Sequence, residues 1–206
     1  MNLGRLSQLL QVDTRAWRAP LVFAALLVVM HGLGRMLPGA LPYDRAAILA
    51  GGQYARMLTG HLVHYDLAHL GWNLVGLALV TWLFAREFTL RGWIAIVVAS
   101  TVAVDLGFLV FEPQLAWYVG FSGVLHGLMA AGLCAWLWRA PDAITALVTV
   151  LFACKLGWEH LMGPLPFTAS TLGLPVIHEA HTYGAIGGAA MALWLLSRRR
   201  TAVTPV

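Results

Sequence analysis

Apolar residues fall along the chain in six blocks, separated by short stretches that contain charged residues, Pro or Gly. A helix needs about 20 predominantly apolar residues to cross a bilayer, so each block predicts one membrane span. The predicted spans cover residues 19–37, 66–85, 92–111, 122–139, 142–160 and 178–197. The pattern therefore predicts an all-α membrane protein, a bundle of six transmembrane helices forming a single domain over residues 19–197.

Composition and charge support a location in the lipid bilayer. Of the 206 residues, 60% are hydrophobic and only 11% are charged, well below the roughly 25% of a soluble domain. Most basic residues lie in loops on the side of both termini: Arg5, Arg15, Arg18, Arg86, Arg91, Arg139, Arg198, Arg199 and Arg200. Segments 1–18 and 198–206 are therefore predicted to be cytoplasmic. The net charge of +4 needs no nucleic-acid partner, because this asymmetry and anionic lipid account for it.

Polar residues within the predicted spans are concentrated at one depth. His69 and Asn73 lie in the first two turns of the second span, Ser122 opens the fourth, and His181 lies in the first turn of the sixth. All four are at the non-cytoplasmic ends of their spans in the predicted topology. Because polar groups inside a bilayer are unfavourable, their convergence predicts a functional site beneath the loops 38–65 and 161–177.

These residue types favour acyl transfer. A serine hydroxyl is a weak nucleophile unless a base within hydrogen-bond reach takes its proton, and Ser122 with His181 supplies that pair. The backbone N–H of Ser122, the His69 ring and the Asn73 amide are candidate donors to the oxyanion that the attack creates. Gly123 belongs to a small-residue face on the fourth span that, with Gly184 on the sixth, predicts close packing of the two helices.

Three motifs in chain order carry a family resemblance. They are His64, His69 and Asn73 in HYDLAHLGWN, then Gly120-Phe121-Ser122-Gly123, then Ala180-His181-Thr182-Tyr183-Gly184. In the same order, they match the H-x4-H-x3-N, G-x-S-G and A-H-x-x-G patterns of rhomboid intramembrane serine proteases. The chain resembles this family from about Arg56 to Gly188. The resemblance implies Ser122 as nucleophile and His181 as base in a dyad without a third acid, and no cofactor or metal.

His126 points to a branch of that family. Many rhomboids carry Tyr one turn after the nucleophile, whereas this chain has His126 in SGVLHG, a pattern similar to the rhombosortases. That resemblance implies bacterial substrates anchored by a C-terminal transmembrane tail with a Gly-Gly motif, and a plasma-membrane enzyme whose site faces the outer side. We expect His126 to support the ring of His181. His64 is as readily structural as functional, and the pattern specifies no oligomeric state.

Several charged residues have two interpretations. Lys155 and Glu159, four residues apart, are expected to form an ion pair, with Asp105 as an alternative partner for Lys155. The residues Glu159, His160, His178 and Glu179 also ring the predicted mouth of the site, where they could meet a basic partner group.

Two other classes of function are weaker alternatives. A membrane metal site could collect the histidines His61, His64, His69, His178 and His181. However, HEAH is not the HExxH motif, and no carboxylate lies naturally beside the first cluster. A non-enzymatic rhomboid relative would typically lack the serine or the histidine, and both are present here.

Overall fold

The computed structural model describes residues 14–139, 141–163 and 176–201, without the side chains of the last two residues. Its elements in chain order are α1 (Thr14–Met36), β1 (Tyr43–Asp44), α2 (Arg45–Leu49), α3 (Arg56–Thr59), α4 (Leu67–Phe84), α5 (Leu90–Phe111), β2 (Trp117–Tyr118), α6 (Ser122–Arg139), α7 (Ala143–Met162) and α8 (Glu179–Thr201). A long helix occupies each predicted span, which confirms the all-α membrane bundle. Most of the predicted 161–177 loop and most of the terminal segments lie outside the described residues.

Four of the described helices, α1, α4, α5 and α7, are long and apolar enough to cross a membrane. The helices α6 and α8 do not meet that criterion, because Gly, Ala and polar residues replace much of the bulky apolar content. Most of the α6 residues are buried by its neighbours, so this central helix presents little surface to lipid. Interior position thus explains why α6 is less apolar than the spans that face lipid.

Side-chain caps fix where several helices begin. Asp66, Thr89 and Asp142 each precede a long helix and accept a hydrogen bond from a backbone N–H in its first turn. Asp66 accepts from the N–H of His69 at 2.7 Å, which sets the start of α4. The cap therefore places the His69 side chain in the first turn, at the end of the bundle that carries the loops.

Glycines bring α6 and α8 into backbone contact. A methyl group on Gly127 would lie 2.6 Å from the carbonyl oxygen of Gly184, closer than side-chain carbons approach other atoms. A methyl group on Gly184 would in turn overlap the carbonyl of Gly123, and one on Gly188 would overlap Gly127. The backbones of α6 and α8 are consequently in contact from Gly123 to Gly127 and from Gly184 to Gly188.

The first long loop is tied to the α5–α6 connection. Strands β1 and β2 pair antiparallel with Tyr43 opposite Tyr118. The Arg45 guanidinium donates to the carbonyls of Phe108 at 2.9 Å and Leu109 at 3.1 Å, near the C-terminal end of α5. A cation at this position complements the partial negative charge at the C-terminal end of the helix. This two-stranded ribbon, which the sequence does not predict, forms one structural unit with the end of the bundle.

Candidate active site

Ser122 and His181 meet where α6 and α8 begin. Ser122 is the first residue of α6, and His181 lies in the first turn of α8. The Nε2 atom of His181 lies 2.9 Å from the Ser122 hydroxyl oxygen, and the histidine is only 3% exposed. An imidazole nitrogen at this distance can accept the hydroxyl proton as the oxygen attacks an electrophile.

The other ring nitrogen of His181 faces a carboxylate. Glu159, near the C-terminal end of α7, places Oε2 2.9 Å from His181 Nδ1, and the residue is 1% exposed. Lys155, one turn earlier on α7, donates to the same Oε2 at 2.6 Å. The ion pair expected from the sequence is thus present, and Asp105 is not its acidic partner. The sequence did not predict that Glu159 would also reach His181.

His126 supports the other side of the His181 ring. The two rings stack with centroids 4.0 Å apart and planes inclined by 15°. His126 Nδ1 lies 2.7 Å from the backbone carbonyl of Ser122, which can only accept a hydrogen bond, so Nδ1 carries the proton. The remaining nitrogen, Nε2, is then free to accept from the Lys155 ammonium, with which it is in close contact.

His69 and Asn73 line the same cavity as Ser122 and His181, a space of 470 Å³. The His69 ring lies against the α-carbon of Gly120, where a methyl group would be 2.7 Å from its Nε2. The Asn73 amide donates to the His69 carbonyl at 2.9 Å, which uses one of its two N–H groups. The second N–H has no partner among the described residues and can donate to a group that enters the cavity.

His64 lies behind His69 in the loop that precedes α4, outside the cavity lining. It is 6% exposed, and its ring packs edge-on against His69 with centroids 5.0 Å apart. Burial, aided by the neighbouring His69 and His31 rings, lowers the pKa of His64 to about 3. The ring is therefore neutral at physiological pH and packs against His69.

Other polar residues singled out in the sequence have partners away from Ser122. His61 contacts Asp105 at 3.3 Å, and His178 faces Glu179 at 3.5 Å. Arg56 donates to loop carbonyls, including that of Pro42 at 2.9 Å. These contacts fasten the loops to the bundle or lie at its rim.

The structure does not assemble the histidine metal site considered from the sequence. Among the described residues, the one group of potential ligands with converging atoms is His126, Glu159 and His181, within 4.8 Å of one another. The Lys155 ammonium contacts all three. The protein's own cation therefore occupies the position that a metal ion would take.

A comparison with protein families assigns the chain to a family. The family model of the rhomboid domain matches residues 51–198 of the sequence, a range that includes Ser122 and His181. The chain belongs to the rhomboid family. No curated protein sequence matches it. Membership makes the chain an integral membrane protein of a family of intramembrane serine proteases, which act on membrane-anchored substrates within the bilayer.

Sequence reasoning placed Glu159 at the mouth of the site but did not predict its contact with His181, although the depth argument that grouped the other residues could have found it. Glu159 lies near the outer end of the predicted fifth span, at the level of Ser122 and His181. Pairing with Lys155 gave it a sufficient explanation on its own helix. A buried carboxylate at the depth of a candidate base was the available signal.

Proposed function

We propose that this rhomboid protein cleaves peptide bonds with Ser122 as nucleophile and His181 as general base. The observation that carries the proposal is the 2.9 Å contact between Ser122 Oγ and His181 Nε2 at the edge of a cavity inside the bundle. His181 accepts the hydroxyl proton as the serine oxygen attacks the substrate carbonyl, and then delivers it to the leaving amine. A nucleophile such as water resolves the acyl-enzyme.

His69, Asn73 and the backbone N–H of Ser122 stabilise the oxyanion in this mechanism. The placement of both side chains on the cavity wall beside Ser122 supports that role. The position of Ser122 at the start of α6 also favours developing negative charge, because the first N–H groups of a helix have no partners within it. Gly120, Gly123 and Gly184 support the site by allowing the close approaches described above.

The substrate is a membrane-anchored protein whose transmembrane helix enters between α4 and α7. Both helices contribute mainly apolar side chains to the cavity wall, including Trp72, Leu79, Leu151 and Phe152. His126 in place of a tyrosine favours the rhombosortase branch and hence removal or exchange of Gly-Gly sorting tails of bacterial surface proteins. The enzyme then lies in the bacterial plasma membrane with both termini cytoplasmic and the site toward the outer leaflet, as the distribution of Lys and Arg favours.

Co-expression with candidate Gly-Gly-tailed proteins tests this function. Mass spectrometry of the substrate's new C-terminus should show cleavage with the wild type and none with Ser122→Ala or His181→Ala. Cleavage that persists in both variants would exclude the proposed chemistry. A substrate with an unrelated transmembrane segment is the matched control. Equal cleavage of both substrates would favour a general rhomboid protease over a sorting enzyme.

A further inference from the structure

We propose that Glu159 is a positioning residue that completes a Ser122–His181–Glu159 triad, with Lys155 as its counter-ion. The proposal rests on the proposed function of Ser122 and His181. It replaces the dyad expected from the sequence with a linear arrangement of three groups on three helices, α6, α8 and α7.

The geometry of Glu159 is that of an orienting acid. Its Oε2 lies 2.9 Å from His181 Nδ1, while Nε2 on the opposite side of the same ring lies 2.9 Å from Ser122 Oγ. Both Glu159 and His181 are almost fully buried, so water does not compete strongly for either bond. A carboxylate in this position fixes the orientation of the imidazole and stabilises the imidazolium that forms during attack.

Glu159 also decides which nitrogen of His181 carries the proton. Two groups face Nδ1: the Glu159 carboxylate at 2.9 Å, which accepts, and the Lys155 ammonium at 3.2 Å, which donates. The carboxylate favours the tautomer with the proton on Nδ1, leaving Nε2 free to accept from Ser122. Lys155 alone would favour the opposite tautomer, in which Nε2 is protonated and cannot act as a base.

Lys155 is the counter-ion of Glu159 in this buried position. It donates to Oε2 at 2.6 Å, so the pair carries no net charge. Its contact with His126 Nε2 holds the ring that stacks on His181. One lysine thus neutralises the orienting acid and anchors the stacking partner of the base.

Glu159 takes part in no proton transfer during the attack. As the lone pair of Ser122 Oγ forms a bond to the carbonyl carbon, the hydroxyl proton moves to His181 Nε2 and the carbonyl π electrons move onto oxygen. The Nδ1 proton remains on His181 and strengthens its hydrogen bond to the carboxylate. Glu159 takes up no proton in this step and acts only through His181.

The rate at which a fluorophosphonate labels Ser122 in the purified protein tests the proposal without a known substrate. Glu159→Gln, which leaves Lys155 to favour the tautomer with Nε2 protonated, should lower the labelling rate constant of folded protein by about 10⁴-fold, and the double variant Lys155→Met/Glu159→Met by about 10²-fold or more. The double variant removes both charges together, so it leaves no unpaired buried ion. Glu159→Asp, which keeps the carboxylate, should recover much of the rate.

Glu87→Gln is the matched control, because Glu87 is a buried, ion-paired carboxylate without a contact to Ser122 or His181. It should lower the melting temperature but leave the labelling rate of folded protein unchanged. The proposal would be overturned if Glu159→Gln and Lys155→Met/Glu159→Met were both labelled at rates within about threefold of wild type. So would equal losses in Glu87→Gln and Glu159→Gln, which would indicate a general structural effect.

Nitrogen-15 NMR of histidine in the unmodified protein provides a second test that does not depend on a variant folding. The spectrum should show the neutral His181 ring protonated on Nδ1, assigned by loss of the signals in His181→Gln. A proton on Nε2 would contradict the positioning role of Glu159. Failure of wild-type Ser122 to react would instead count against the proposed function, and the tautomer measurement would still report on Glu159 separately.

Discussion

Glu87 and Glu159 are buried carboxylates at opposite ends of the bundle, and each pairs with a basic side chain. Glu87 contacts Arg139 and accepts from the Trp136 indole at 3.2 Å, which links the α4–α5 turn to α6. Glu159 pairs with Lys155 but has His181 as its further partner. Burial and ion pairing are common to both, so neither property separates a structural clamp from a positioning residue. The identity of the second partner separates them, since it is the Trp136 indole for Glu87 and the His181 ring for Glu159.

The two ends of the bundle therefore use similar polar groups for different purposes. At the end that carries Glu87 they join helices. At the end that carries Ser122, here called the site end, the same kinds of contact surround Ser122 and the cavity. Substitutions at the site end should therefore change rate constants, whereas those at the Glu87 end should change stability alone.

The largest effect on stability and reactivity is expected at the site end, where the backbones of α6 and α8 are in contact. Gly184→Val should destabilise the protein by more than about 3 kcal/mol and abolish Ser122 labelling, because the side chain would overlap the Gly123 carbonyl. Thermal unfolding in detergent and fluorophosphonate labelling measure the two effects. Gly157→Ala on α7 is the control, since a methyl group there meets no atom within 4 Å. A stable, reactive Gly184→Val protein would contradict the close packing of α6 and α8.

A smaller, purely kinetic effect is expected for Asn73→Ala. Loss of an oxyanion donor lowers kcat by about 10² to 10³, with little change in KM. Thr81→Ala is a well-matched control, because Thr81 is also buried on α4 and donates to the carbonyl four residues earlier at 2.7 Å. It does not line the cavity that contains Ser122. Equal rate losses in both variants would show that packing of α4, and not an oxyanion contact, is responsible.

The smallest effect is expected on the pH dependence of stability, and it concerns His64, which packs against His69. The folded-state pKa of His64 is lowered to about 3, so between about pH 6.5 and 3 the unfolded chain binds a proton that the folded chain does not. Stability should therefore fall as pH falls through this window, by about 1.4 kcal/mol per pH unit at most. His64→Phe should reduce the slope of melting temperature against pH, whereas replacing the exposed His160 by Gln should not. An unchanged slope in His64→Phe would remove His64 as the cause.

Much of the architecture could be predicted because a helix converts sequence position into depth at a fixed rise per residue. That relation placed Ser122, His69 and His181 at one level before any contact was known, and the bundle brings the three together. The glycine spacing on α6 and α8 indicated which helices would approach closely. Both inferences use only the periodicity of a single helix and the thickness of the membrane.

Two features were not predicted: the contact of Glu159 with His181 and the β1–β2 ribbon. Both depend on how neighbouring elements pack side by side, which the periodicity of a single helix does not specify. Glu159 reaches His181 only because α7 packs beside α8 at a particular rotation, and its local pair with Lys155 gave no reason to seek another partner. The β1–β2 ribbon has two residues in each strand, too few to produce an alternating pattern. Its register is determined by tertiary contacts, including the bond from Arg45 to the end of α5.

Gly120 limits how this site can change during evolution. Its φ of 121° favours glycine, and the ring of His69 fills the space where a side chain would begin. An asparagine, which tolerates positive φ better than most residues, would still displace the His69 ring. An alanine, the smallest alternative, would both strain the backbone and meet the same ring. No single replacement satisfies both requirements, so an evolutionary route that alters Gly120 must first move or remove the histidine on the opposite wall.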